Sequence, residues 1–144
     1  GYIMEEVIAN DCVLKLDHLV FDRISFKRIG FANDNGIDYK FGFGFEEKGE
    51  YDIVVHLDVI GQKEGEYKFQ ISASGYFTLS STNYKDLLIR QNAVAIIFPY
   101  IRSQISLLTA QPEVTPVVLP PFNIAQMVED AMNAEVEENP QLKS

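Results

Sequence analysis

The chain has 144 residues, of which 47% are hydrophobic and 23% are charged, values typical of a single globular domain. Lys and Arg together number 12 and Asp and Glu number 21, so the net charge at pH 7 is −9. This negative charge repels phosphate backbones and disfavours nucleic-acid binding. The chain also contains 10 Phe and 7 Tyr but no Trp. The fold must therefore accommodate an unusually large number of aromatic rings.

Cysteine content and hydropathy exclude several other classes of protein. Because Cys12 is the only cysteine, a disulfide within the chain is impossible and a cysteine-based zinc site is not expected. No window approaches about 18 uncharged apolar residues, so we expect no insertion into a membrane. The first residues show no basic segment followed by an apolar one, so we expect no signal peptide and predict a cytoplasmic protein.

The first half of the chain alternates apolar and polar residues, a pattern typical of strands. Residues 13–27 predict a long strand, and a change of parity predicts a bulge or bend near residues 19–22. Four aromatic residues then alternate with polar residues and glycines: Tyr39, Phe41, Phe43 and Phe45. Residues 51–60 and 67–79 predict two more strands. Short turns between these segments favour a four-stranded antiparallel meander with one apolar and one wetter face.

The second half of the chain has helical periodicity. Residues 85–110 predict a helix with Pro99 inside it, and its apolar arc is wider than packing on one sheet requires. We expect such an arc to be buried on two sides, by the sheet and by a second subunit. Residues 111–121 contain four of the six prolines and predict a stiff apolar connector. Residues 122–138 predict a second helix, so strands followed by helices indicate an α+β fold.

This pattern divides the chain into three parts. We expect residues 1–12 to be an N-terminal extension, residues 13–138 to form the domain, and residues 139–144 to be a C-terminal tail. The pattern does not decide whether the extension is a helix or a strand.

A search for catalytic residues is mostly negative, and we predict a protein that is not an enzyme and needs no cofactor or metal. No nucleophile elbow or phosphate-binding loop is present. Asp52, His56 and Asp58 share one strand face, which favours a solvated sheet surface over a weak metal or acid–base site. His18 lies on a different strand, and Cys12 has no neighbouring histidine, so an incidental role is expected for both.

The aromatic row and the connector each allow two interpretations. The rings either form part of a core that the helices cover, or they form the floor of an apolar groove. The connector residues around Val118 either pack into the core or form a wall of that groove. A large apolar patch left open would indicate a binding site.

One sequence block resembles the signature of a known family. Residues 95–102 read Ala-Ile-Ile-Phe-Pro-Tyr-Ile-Arg, which resembles the Asn-Ile-Leu-Phe-Pro-Tyr-Ala-Arg signature of the export chaperone SecB. The Pro-rich stretch 119–124, Leu-Pro-Pro-Phe-Asn-Ile, is similar to the entry to the last helix in that family. Ile24-Ser25-Phe26 and Gly75-Tyr76-Phe77 match its first and fourth strands. The resemblance covers about residues 13–135.

The resemblance implies an ATP-independent holdase that binds unfolded polypeptides or preprotein segments. Its expected assembly is a dimer or a tetramer, the latter a dimer of dimers with long helices packed between two sheets. It assigns a client-binding groove to nine residues: Phe41, Phe43, Phe45, Val117, Val118, Leu119, Phe122, Ile124 and Met127. It assigns the oligomer interface to four residues of the long helix: Val94, Ile97, Ile101 and Ile105.

The chain departs from the family at the face that docks the SecA motor. SecB proteins that bind SecA carry acidic residues where this chain has Arg23, Lys27 and Gln70, and such changes weaken docking on a basic partner. Asp17 and Asp22 lie near those positions and offer a partial substitute. The acidic residues near the end of the second predicted helix offer another: Glu135, Glu137 and Glu138.

Four functions therefore remain open on the sequence. The first is a general export chaperone that feeds a translocase, and the second is a chaperone dedicated to one partner, such as an antitoxin. The loss of the acidic positions favours a partner other than SecA. The third is a small-ligand-binding domain or enzyme that uses the same cavity, disfavoured because convergent polar groups are missing. The fourth is a structural oligomer with every ring buried.

Overall fold

The computed structural model describes residues 5–138, with side chains for residues 5–134, and shows an α+β fold. The predicted tail, residues 139–144, and the acidic side chains of residues 135–138 lie outside the described part, as do residues 1–4. Five strands precede two helices in the chain: β1 Glu5–Ala9, β2 Cys12–Arg28, β3 Ile37–Glu47, β4 Asp52–Lys63, β5 Tyr67–Leu79, α1 Leu87–Thr109 and α2 Ile124–Glu138. Between residues 5 and 138, no helix is long and apolar enough to cross a membrane.

The sheet has five strands, and the prediction of four strands is wrong. The additional strand, β1, lies in the predicted N-terminal extension and pairs antiparallel with the start of β2. The two strands are joined by a tight turn at Asn10 and Asp11, which have φ angles of 50° and 60°. Asn and Asp tolerate this left-handed backbone better than other side chains, which explains why the chain reverses at this point.

The strand order is β1-β2-β5-β4-β3, so the predicted meander is also wrong. β2 pairs with β5 along most of its length, from Leu14 opposite Leu79 to Arg28 opposite Tyr67. The register shifts twice, at residue 17 and at residue 22. The second shift lies within the predicted bend at residues 19–22 and returns the apolar side chains of β2 to the core face.

The connection from β2 to β3 is a crossing loop, residues 29–36, which runs over the turn between β4 and β5. The backbone amides of Ile29 and Gly30 donate to the carbonyl oxygen of Glu66 at 2.8 and 3.1 Å. A Cβ atom on Gly30 would lie 2.4 Å from the carbonyl oxygen of Gly65. The loop can approach the turn this closely only because residue 30 has no side chain.

A buried ion pair holds the crossing loop in place. The carboxylate of Glu66, which is only 2% exposed, accepts from the Lys63 ammonium at 2.7 Å and from the backbone amide of Asn33 at 3.0 Å. Lys63 also donates to the carbonyl oxygen of Asn33 at 2.8 Å. Each buried charge therefore has a partner of opposite charge and additional hydrogen bonds, the condition under which burial of ions is tolerated.

β4 is longer than predicted, because it continues through Gly61 to Lys63, residues expected to form a turn. The ring of Phe69, on the neighbouring strand β5, occupies the space where a Cβ atom of residue 61 would lie, only 2.2 Å away. The absence of a side chain at Gly61 therefore makes room for the Phe69 ring inside a strand. In the sequence, a glycine in this role looks the same as a glycine in a turn.

Helix α1 packs on one face of the sheet and closes the core. It continues through Pro99 as a single helix, and Asp86 caps its N-terminus by accepting from the amide of Ile89 at 3.2 Å. Pro99 is exposed, so the carbonyl group of Ala95, which loses its usual intrahelical donor, also lies on the exposed side. The core cluster combines α1 with the inward rows of β2, β4 and β5.

The four residues predicted as an oligomer interface lie in this core instead. The side chains of Val94, Ile97, Ile101 and Ile105 are completely buried within the single chain. Because they have no accessible surface left, they cannot form a contact with a second subunit, and that assignment is corrected. The exposed residues of α1 form a different stripe: Leu88, Ala95, Pro99, Ser103 and Leu107.

Helix α1 approaches the sheet closely at Gly75, where a Cβ atom would lie 2.6 Å from Cδ1 of Ile97. We predict that Gly75→Ala lowers the free energy of unfolding by about 1–3 kcal/mol, because the added methyl group overpacks this contact. Chemical denaturation measures the change. Gly36→Ala is the control, since no atom lies within 4 Å of its added Cβ. Equal stability of the two variants would contradict this description of the helix–sheet contact.

Candidate binding groove

An aromatic cluster joins β3, α1 and the connector, which in the structure comprises residues 110–123. The ring of Phe122 contacts Phe41 on β3 edge-to-face, with centroids 5.0 Å apart, and lies 6.3 Å from Phe98 on α1. It also meets Tyr39 at 5.9 Å. Edge-to-face geometry at these distances is favourable for aromatic pairs. Phe122 therefore holds the end of the connector against the row of rings on β3.

Two clefts lie beside this cluster, between β3 and α2. The first has a volume of about 360 Å³ and is lined by five residues: Phe41, Phe43, Met127, Asp130 and Ala131. The second, of about 280 Å³, is lined by six: Phe43, Gly44, Phe45, Arg90, Ala131 and Met132. Because Phe43 and Ala131 belong to both, the two clefts are neighbours. We call the two clefts together the β3–α2 groove.

A third cleft, of about 380 Å³, lies between the start of β3 and the connector. Its lining includes Tyr39, Tyr67, Pro116, Val117 and Val118. Tyr39 contacts Phe122, and so does Phe41 in the first cleft. The Phe122 ring therefore stands between the connector cleft and the β3–α2 groove.

Hydrogen bonds to the end of α1 determine which connector side chains face outward. The hydroxyl group of Thr109 accepts from the amide of Val117 at 2.8 Å, and Ser106 donates to the Val117 carbonyl at 2.8 Å. These bonds turn the side chains of Val117 and Leu119 inward, where both are buried, and leave Val118 75% exposed. Val118 therefore offers exposed apolar side-chain surface to a ligand.

The nine residues predicted for the groove occupy three kinds of position. Phe41, Phe43, Phe45 and Met127 line the β3–α2 groove, and Val117 and Val118 line the connector cleft. Leu119 is buried in the core. Phe122 and Ile124 are partly buried and pack against the core, with Phe122 standing between the clefts. The structure thus brings most of these residues to one side of the sheet.

The groove also contains residues that the sequence did not indicate. The guanidinium group of Arg90 lies over the ring of Phe45, 4.6 Å from its centroid. Arg90 is in the first turn of α1, and no local pattern connects it with a strand so distant in the chain. Ala131 and Met132 follow Met127 at helical spacing, so the periodicity of α2 would have identified them.

The connector cleft is also lined by polar residues, among them the ion-paired Lys63 and Glu66. The Lys63 ammonium and the amide of Asn33 hold the pKa of the Glu66 carboxyl below its usual range. Burial raises the pKa of Tyr39 and Tyr67, so both remain neutral phenols. The cleft therefore combines aromatic and aliphatic surface with polar groups, which include a fixed ion pair.

The opposite face of the sheet carries a polar network. The hydroxyl group of Ser74 donates to the Asp22 carboxylate, and Nδ1 of His56 lies 2.8 Å from the hydroxyl oxygen of Ser74. The Glu46 carboxylate accepts from Lys48 at 2.9 Å and lies 3.2 Å from Nε2 of His56. The hydrogen bond from Lys48, and to a smaller extent the one with His56, hold the pKa of the Glu46 carboxyl below its usual range.

This network is not arranged for nucleophilic catalysis. A catalytic serine donates its hydroxyl proton to the histidine, whereas Ser74 donates to Asp22 and is almost completely buried. Asp58 is occupied as the acceptor of a hydrogen bond from Ser72. Of the residues predicted for the docking face, Asp22, Arg23 and Lys27 are exposed on β2, and Gln70 lies opposite Ser25 on β5.

Comparison with known proteins identifies this fold. It resembles the solved structure of the Mycobacterium tuberculosis Rv1957 SecB-like chaperone in complex with a ChAD peptide from the Rv1956 HigA1 antitoxin. The TM-score is 0.61 at 15% identity, and the alignment covers 76% of this chain and 88% of that one. The fold is therefore SecB-like.

Sequence comparison leads to the same family. Residues 38–135 match the model of the SecB family, preprotein translocase subunit SecB. The chain belongs to the SecB family. It is also 54% identical over 37 residues to the uncharacterized protein MJ0357 of Methanocaldococcus jannaschii, a match that spans 26% of this chain and about a quarter (24%) of that protein's length.

The ion pair beside the connector cleft predicts how stability depends on pH. The pKa of Glu66 is lower in the folded chain than in the unfolded chain, so the unfolded chain binds more protons as the solution is acidified. The stabilisation is complete above the unfolded pKa, near 4.3 (roughly, for an unperturbed Glu), and is lost as pH falls through the folded pKa. We predict that Glu66→Gln makes the unfolding free energy less dependent on pH in this acid range.

Denaturant unfolding at a series of pH values from neutral to acidic measures this dependence. Glu64→Gln is the matched control, because Glu64 contributes its backbone carbonyl, not its carboxylate, to the bonds with Asn33 and Asn35. Parallel curves for the unmodified chain and Glu66→Gln would refute the role given to the Lys63–Glu66 pair.

Proposed function

We propose that this chain is an ATP-independent holdase chaperone that binds extended apolar segments of unfolded polypeptides. The observation that supports this most is the β3–α2 groove, whose floor is a row of half-buried aromatic rings. Rings present broad apolar contact with few rotamers to immobilise, which suits a binder of many sequences. Bound segments lie along Phe41, Phe43 and Phe45 and beneath α2.

The connector cleft is proposed as a second contact for the same client. The exposed side chain of Val118 and the rings of Tyr39 and Tyr67 provide apolar surface there. Because Phe122 stands between this cleft and the β3–α2 groove, a client occupies both by passing over that ring. Two separate contacts along one chain raise affinity through effective concentration, without a demanding sequence match at either one.

Two partner classes fit this proposal. A general export chaperone would bind preproteins and pass them to SecA, whereas a dedicated chaperone would bind one client such as an antitoxin. The relative Rv1957 is in complex with an antitoxin peptide, and Arg23 and Lys27 oppose docking on a basic motor surface. We therefore favour a chaperone with a dedicated client in the cytoplasm. Binding of SecA through Asp17 and Asp22 is the second candidate.

We also propose that the chain assembles as a dimer or tetramer through the exposed stripe of α1. Helix α1 contains no Asp or Glu, although the chain has 21 of them. Leu107 is 69% exposed and Leu88 is almost half exposed on this stripe. The outer edge of β2 beyond Leu16 also has no strand partner among residues 5–138. An open strand edge and an uncharged helix face are both surfaces that a second copy can cover.

The holdase proposal predicts that the chain suppresses aggregation of an unfolded client without ATP at near-stoichiometric ratio. The variant Phe43→Ser/Val118→Ser removes apolar surface from the groove and the connector cleft, so we expect at least a several-fold loss of protection. Light scattering of a denatured client on dilution measures it. Phe31→Ser is the control, because Phe31 is 84% exposed but lies in the crossing loop and lines none of these clefts. Equal losses in the two variants, or no suppression by the unmodified chain, would overturn the proposal.

The assembly proposal predicts that Leu107→Glu weakens self-association by about tenfold or more, because a charge would be buried in the contact. Multi-angle light scattering over a concentration series measures the mass. Val118→Glu is the control, since it adds the same charge at a similarly exposed connector position. A monomeric unmodified chain at micromolar concentration would refute the proposal, and so would identical association of both variants.

A further inference from the structure

A basic patch lies on the face of the sheet opposite the helices. It consists of Arg23, Ser25 and Lys27 on β2 together with Lys68 and Gln70 on β5. Ser25 pairs directly with Gln70, and Lys27 pairs directly with Lys68. Arg23, Lys27 and Lys68 are exposed, whereas their neighbours Phe69 and Ile71 on β5 are buried in the core. The three cations are therefore carried on rigid, paired strands and face solvent.

The three cations of this patch have no direct ion-pair partner within the described chain. No ion pair or hydrogen bond involves the side chains of Arg23, Lys27 or Lys68 among residues 5–138. Elsewhere, Lys48 and Lys63 pair with glutamates. Like charges directly opposite each other on neighbouring strands lower stability, so the Lys27–Lys68 pair costs the fold free energy. A partner that brings negative charge would offset that cost.

Acidic residues limit the size of the partner's anionic part. Ser72 of β5 pairs with Arg23 on one side and with Asp58 of β4 on the other, and its hydroxyl group donates to the Asp58 carboxylate. Lys68 also pairs with Gln62 of β4, which in turn pairs with Asp38 on the edge strand β3. These carboxylates repel a long continuous polyanion. The patch therefore suits a short cluster of carboxylates better than the phosphate backbone of a nucleic acid, which the net charge of −9 also repels.

From this arrangement we infer that the basic patch docks a short acidic segment of a partner polypeptide. Arg23 and Lys27 are four residues apart on one strand, a spacing of about 13 Å, which matches carboxylates four residues apart in an extended segment. Ser25 and Gln70, between the cations, offer neutral hydrogen-bonding groups. This inference goes beyond the holdase proposal, since the patch is on the opposite side of the sheet from the groove and leaves the groove free for a client.

Fluorescence anisotropy tests this inference with three labelled probes on the full chain: a 12-residue alternating Glu-Thr peptide, the corresponding Lys-Thr peptide and a 12-nucleotide single-stranded oligothymidine. We expect the acidic peptide to bind, the basic peptide not to bind at the patch, and the affinity for the acidic peptide to fall as salt is added. In the variant Lys27→Glu/Lys68→Glu, the affinity for the acidic peptide should fall at least tenfold.

The matched control is Lys48→Glu/Lys85→Glu, which changes the net charge by the same amount at two exposed lysines that do not share a strand register with the patch. Affinity within about twofold of the unmodified chain in this control supports a local site. Equal loss in both variants would show a general charge effect and overturn the inference. Tighter binding of the oligothymidine than of the acidic peptide would overturn it in favour of nucleic acid, and absence of acidic-peptide binding would refute it directly.

Aggregation assays on the same two variants separate this inference from the holdase proposal. We expect Lys27→Glu/Lys68→Glu to retain full client protection, because the groove residues are unchanged. Loss of acidic-peptide binding with intact protection supports a second, independent surface. Loss of both activities together would contradict the separation of the two faces.

Discussion

The ring of Phe122 is the contact on which the arrangement of this chain depends. It packs edge-to-face against Phe41 and lies against Phe98, so one side chain connects an edge strand, the long helix and the connector. Helix α2 begins at Ile124, immediately after this anchor. The position of α2 relative to β3, and hence the width of the β3–α2 groove, is consequently set by this contact between rings together with one hydrogen bond, from the Gln91 side-chain amide on α1 to the carbonyl oxygen of Ala125 on α2 at 2.9 Å.

The sequence predicted the strands and helices well where burial alternates along one element. The rows of β4 and β5 follow period 2 because one face of each lies in the core. Strand order was not predictable in this way. It depends on pairing between β2 and β5, which are distant in the chain, and on register shifts at residues 17 and 22. β1 escaped notice because Glu5–Ala9 is too short and too polar at its start to show a pattern.

The residues that line the β3–α2 groove were easier to predict than the residues that α1 leaves exposed, for a physical reason. Phe41, Phe43 and Phe45 share one strand face, so a single ligand can reach all three. Helical periodicity found the apolar stripe through Val94 and Ile101, but it cannot tell whether a sheet of the same chain or another subunit covers that stripe. Only the structure shows that the sheet covers this stripe, because Ile97 packs directly against Gly75 of β5.

Strand β1 has a consequence for any strand that pairs with the outer edge of β2. Leu16 is already matched to Glu5, and the amides and carbonyls before it are taken as far as Cys12. An incoming strand therefore cannot pair with Cys12–Leu16 on this edge, whichever chain supplies it. The hairpin thus limits the register at one end: it excludes every sliding alignment that would pair with residues 12–16, and so bounds the overlap of two chains on that side.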